Sequence, residues 1–121
     1  MESDQIMTDT SPTSLQLAAT LRDGIVTAAE HADLVRLLEV ARTDTSQARR
    51  VADFLLAWWN AGQCGGFDLT HLWQLDDELV RAPQAVIGVI ARTRRYPDSL
   101  GYGPAFEAVV AAWRPELDEP A

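Results

Sequence analysis

The chain has 121 residues, 47% of them hydrophobic and 23% charged, the balance of an ordinary globular domain and not of a disordered or membrane-spanning one. Eighteen acids against ten bases give a net charge of −8, a field that repels phosphate backbones and disfavours nucleic-acid binding outside a local basic patch. One cysteine and two histidines exclude an internal disulfide and a four-ligand zinc site built from Cys and His alone.

Residues 1–12 carry no apolar periodicity and are rich in Ser, Thr and Asp, so they read as a flexible acidic leader, within which Met7 offers an alternative start. They lack the basic start and apolar stretch of a secretory signal, and the expected residence is cytoplasmic. Helical spacing then dominates, with no period-2 alternation. A first helix is predicted over 13–22, with Leu15, Ala18, Ala19 and Leu21 inward and Asp23-Gly24 ending it. Thr27 and Glu30 have capping-box spacing and open a second helix whose stripe is His31, Leu34, Val35, Leu38 and Ala41.

The third helix, predicted over 45–61, is the expected centre of the fold. Val51, Phe54, Leu55 and Trp58 make one face and Ala52, Leu56 and Trp59 widen it, leaving Arg49, Arg50, Asp53 and Asn60 for solvent. The adjacent tryptophans point about 100° apart and are expected to serve two different contacts. Gly62, Gly65 and Gly66 end the helix. Asp68 caps a short turn carrying Leu69, Leu72 and Trp73, and Asp76 or Asp77 starts another that reaches Ala82. Pro83 marks a kink or restart, after which Val86, Ile87 and Ile90, with Val89 beside them, are expected inside a helix running to about Arg95. Tyr96 to Gly103 form a loop, and Pro104 opens a last helix with Phe106, Val109, Val110 and Trp113 on one face. Residues 118–121 read as a loose tail.

Several residue groups bear on chemistry. Cys64, Asp68 and His71 supply a thiol, a carboxylate and an imidazole within eight positions, the types a nucleophile, its base and an orienting acid require. Such groups usually converge from distant segments, and a small thiol in a glycine corner with a capping Asp and a surface His accounts for the same residues. No spacing here matches an established metal-ligand pattern. The Asp76–Glu78 acids resemble paired carboxylates, yet negative charge at a helix start is explained by the macrodipole. Arg92, Arg94 and Arg95, with Tyr96, are the one dense basic patch, and Arg in a last helical turn complements its negative end. All ten bases are Arg and none is Lys, as a GC-rich genome also produces. Trp73, Tyr96 and Tyr102, on short glycine-hinged loops, are either interface anchors or plugs that close the end of the helical core.

The strings ADFLLAWWNA, CGGFDLT followed by LW, IAR…YPD, LGYG and WRPEL together resemble a family of small uncharacterised bacterial proteins, often encoded on integrative and conjugative elements of proteobacteria. The resemblance spans about residues 48–117. It implies a mobile-element setting and carries no activity. His71 stands where such relatives often have an acid, and Pro83 interrupts a segment that is often continuous.

The expectation is therefore an all-α protein, a compact bundle of five or six short helices around a Trp-rich central helix, spanning 13–117. Its predicted core is Phe54, Leu55, Trp58, Trp59, Trp73, Ile87, Ile90, Phe106 and Trp113. The expected function is a non-enzymatic protein-interaction module, in its sharper form an inhibitor of a host defence system related to CRISPR, with no cofactor or metal. The candidate surface comprises Asp68, His71, Trp73, Asp77, Arg92, Arg95, Tyr96, Asp98 and Tyr102, gathered on one face by the 62–77 corner and the 96–103 loop. Two alternatives stand beside it: a small enzyme using Cys64 and His71 or the Asp76–Glu78 acids, and nucleic-acid binding through Arg92, Arg94 and Arg95.

Overall fold

The computed structural model describes residues 11–117, which form an all-α bundle. The expected leader and tail, Met7 included, lie almost wholly outside these residues. Helix α1 is Pro12–Arg22, α2 is Ala28–Val40, α3 is Ser46–Cys64, α4 is Arg81–Thr93 and α5 is Gly103–Trp113. Three short 3-10 turns, Leu69–Gln74, Pro97–Leu100 and Pro115–Leu117, complete the chain. There is no strand among the described residues.

The caps follow the local chemistry. Ser11 and Thr45 accept from the backbone N–H groups of Ser14 and Ala48, satisfying donors that a helix start leaves free. Thr27 and Glu30 make the reciprocal capping box at α2, with bonds of 3.1 and 2.9 Å. Pro83 falls in the first turn of α4, where a missing N–H is tolerated, so α4 starts at Arg81 without a kink. The break lies instead in α3, where Asn60 leaves helical geometry (φ −167°, ψ 84°).

The core is built where α2 packs on α4 and α3, and α3 on α5. Leu34, Leu37, Leu55, Leu56, Val86, Val89 and Phe106 are fully buried there. Phe106 is the shared anchor of the two tryptophans. Trp58 meets it edge-on at 5.6 Å and Trp59 stacks on it at 5.7 Å between centroids. The expected two contacts of the Trp pair are thus two geometries on one ring, while the Trp58 indole also donates to the Arg95 carbonyl at the end of α4. Trp113, half-buried, donates to the Ala41 carbonyl and joins α5 to the end of α2.

Four residues expected inside are outside: Leu15, 55% exposed, and Ala18 on α1, and Trp73 and Ile87 further on. Trp73 is 83% exposed and Ile87 40% exposed. In α4 the buried face is Ala82, Pro83, Val86 and Val89, a row of small residues that lets α4 lie close to α2 and turns Ile87 outward. Trp73 sits in a six-residue 3-10 turn, in which residues three apart eclipse and only a narrow stripe can face inward. Leu72 and then Leu75 take the inward positions.

Candidate interaction surface

The 68–78 segment is rigidly held for so short a piece of chain. Asp68 Oδ1 accepts from the Thr70 N–H and hydroxyl at 2.9 and 2.7 Å, and these bonds hold its carboxyl below the usual range. Phe67 meets Phe54 of α3 edge-on, and His71 meets Phe67 in the same way. At the far end, Arg50 Nε donates to Gln74 Oε1 at 2.8 Å and the Asp76 N–H donates to Gln47 Oε1 at 2.6 Å. Between these fastenings Leu69 and Trp73 project into solvent, 67% and 83% exposed. From Gly62 to Val80 the chain carries Asp68, Asp76, Asp77 and Glu78 and no Arg or Lys. The three acids from Asp76 lie in the turn before α4 and none caps it by a side-chain bond. Arg36 reaches Glu78 only at 4.0 Å, both side chains exposed.

The 92–102 segment behaves differently. Arg92 is committed: its guanidinium holds Glu30 through bonds of 2.9 and 2.6 Å and also donates to the Ile25 carbonyl. Arg92 keeps the Glu30 carboxyl at about 2. Arg95 donates to the Ser99 hydroxyl and carbonyl at 3.1 and 2.6 Å. Arg94, in left-handed geometry (φ 55°) at the end of α4, is the member of the trio whose side chain has no partner among the described residues. The basic patch is therefore mostly internal fastening, and two of the three cations expected for nucleic acid are occupied.

Tyr96 and Asp98 are exposed, as the candidate surface requires. Tyr102 is not. It is 3% exposed, its hydroxyl lies 2.8 Å from His31 Nδ1, and burial pushes the phenol up to about 12. It plugs the core and is removed from the candidate surface. Nothing local in the sequence marks this pair, whose members are 71 positions apart.

Nor do the remaining residues share one face. The Trp73 turn is fastened beside Gln47 and Arg50, in the first half of α3, whereas Tyr96 borders α3 at Ala57 to Gly62. At a rise of about 1.5 Å per residue, those stations are on the order of 15 Å apart along the helix. The corner and the loop form two patches.

Cys64 ends α3 in a buried position, and burial pushes its thiol up, away from the thiolate a nucleophile needs. No hydrogen bond joins it to His71 among the described residues; His71 Nε2 approaches Asp68 Oδ2 at 3.9 Å instead. No group of three His, Cys, Asp or Glu is placed to hold a metal ion among the described residues. What the sequence reading missed is Arg114. It donates to Asp53 Oδ1 at 2.8 Å and to the Cys64 carbonyl at 3.1 Å, and Asp53 and its neighbour Arg50, both expected in solvent, are mostly buried. A groove of about 500 Å³ between α1, α2 and α5 is floored by Leu17, Leu38 and Ala105, with the His31–Tyr102 pair at its side. No helix among the described residues is long and apolar enough to cross a membrane.

A family model described as a family of unknown function (DUF7673) matches residues 31–114. The match covers more than half of the chain, from the first turn of α2 to the end of α5, and the chain belongs to this family. No curated protein and no solved structure matches it.

Proposed function

We propose that this member of the family is a non-enzymatic protein-interaction module, encoded on a mobile genetic element and acting on a component of a host defence system in the cytoplasm. The reading is carried by one observation: Trp73 is 83% exposed on a turn held at both ends by hydrogen bonds and aromatic packing. Scattered exposed apolar residues need no explanation. A tryptophan presented with a neighbouring leucine on a fixed backbone is different, because little side-chain or loop entropy is lost when it docks. The acids that flank it, with no base between Gly62 and Val80, favour a partner whose apolar pocket has a basic rim. That charge pattern fits a protein that itself handles nucleic acid. The mobile-element setting rests on the sequence resemblance alone.

The test compares immobilised native protein with Trp73→Ala and Leu69→Ser in capture from a host lysate, followed by identification of what is retained. The expected result is a protein that binds the native chain and is lost by at least about tenfold on either variant, with helicity unchanged. Equal retention by native and variant chains overturns the assignment to this patch.

A further inference from the structure

A second site, independent of Trp73, lies at the break in α3. The helical backbone that starts at Ser46 is interrupted at Asn60. A helix that stops there ends as any helix does, with last-turn carbonyls lacking partners ahead of them and the negative end of the dipole at the break. Asn60 restarts the short remainder: its Oδ1 accepts from the Gln63 N–H at 3.2 Å. In front of the break is a cavity of about 500 Å³ lined by Trp59, Asn60, Tyr96 and Asp98, with small residues between them.

We propose that this cavity binds the ammonium end of an alkylamine. Four observations converge on that chemistry. Trp59 is fixed by its stacking on Phe106 and lines the cavity. Tyr96, 66% exposed, supplies a second aromatic to the same wall. Asp98 lines the same space, and its carboxylate makes no hydrogen bond or ion pair among the described residues. No arginine lines the cavity; the nearest in sequence, Arg95, is engaged by Ser99. Aromatic faces attract a cation, the carboxylate neutralises it, and the carbonyl end of the helix accepts its N–H bonds. A primary ammonium uses all three. A quaternary ammonium has no proton to donate and forgoes the last, while an anion is repelled by the Asp98 carboxylate and by the aromatic faces.

The probe is cadaverine, titrated into the 15N-labelled full chain at constant ionic strength. The expected result is saturable shifts of the Trp59 indole and of the Asn60 to Gln63 amides with millimolar affinity. Asp98→Asn weakens binding about three- to fivefold, the scale of an exposed charge pair. Tyr96→Ala weakens it by about threefold, and both positions are exposed, so neither variant is expected to unfold. Tetramethylammonium binds more weakly than cadaverine. Nα-acetyl-lysine methylamide distinguishes the sources of the ammonium: tighter binding than cadaverine assigns the site to a lysine of a partner, weaker binding to a free polyamine. Absence of a saturable shift, equal affinity in Asp98→Asn, or shifts spread evenly over the acidic surface overturns the proposal.

Discussion

Arg114 and Asp53 stand 61 positions apart and are joined by a bond of 2.8 Å, with the same guanidinium donating to the Cys64 carbonyl. One side chain thus fastens the residue after α5 to two turns of α3. Both side chains are about four-fifths buried, and a carboxylate left there without its cation is costly. Arg114→Met is expected to lower stability by about 1–3 kcal/mol, read from the urea midpoint. A change in midpoint within error would show the bond to be incidental to the fold.

The two tryptophans of opposite environment give a paired prediction. Trp58 is packed edge-on to Phe106 and bonded to Arg95, so Trp58→Ala should cost roughly 3 to 5 kcal/mol. Trp73→Ala should lie within about 0.5 kcal/mol of the native protein. Thermal unfolding of the two variants side by side decides whether Trp73 belongs to the fold or to something outside it.

Acid sensitivity should trace to Glu30. Hydrogen bonds from Arg92 hold its folded-state value at about 2, below the ordinary 4.5. The folded state therefore binds the carboxyl proton less tightly than the unfolded chain. Its contribution is complete above the ordinary value and disappears as pH falls toward the folded one. Arg92 is half exposed, and solvent screening limits the effect to about 1 kcal/mol. Glu30→Gln should flatten the loss of stability between neutral pH and pH 2–3 that the native protein shows. Parallel pH profiles would refute the assignment.

Cys64 offers the sharpest comparison with the enzymatic alternative. Burial raises its thiol, and alkylation by iodoacetamide near neutral pH should run more slowly than that of an ordinary free cysteine. Faster alkylation than the free thiol would revive the nucleophile.

Much of the architecture was legible from local rules. Thr27 with Glu30, Pro104 at a helix start, and the Phe106, Val109, Val110 and Trp113 stripe each announce a helix and its buried face without reference to the rest of the chain. The errors arise where a distant partner sets the outcome. Ile87 is the more hydrophobic candidate, but the close approach of α2 selects small residues for the interface, and no window around residue 87 contains that information. Trp73 reads as inward by residue type, although a 3-10 turn has too narrow an apolar stripe to bury it beside Leu72. Tyr102 and Arg114 owe their roles to His31, Asp53 and Cys64, all far away in sequence. The candidate surface suffered most, because exposure is a property of packing: it kept Trp73, Tyr96 and Asp98, lost Tyr102, and had Arg92 and Arg95 tied into the fold.

Gly101 has a positive φ of 100°, and a Cβ built there would stand 2.6 Å from the backbone of Leu17 in α1. Helix α1, which precedes the matched span, rests on this turn with Thr20 bonded to the Leu100 carbonyl. A single hydrogen atom in place of a methyl group is thus the condition for α1 to dock where it does. A bulkier residue at this turn would force α1 off it, and the groove between α1, α2 and α5 would lose the wall that Leu17 supplies.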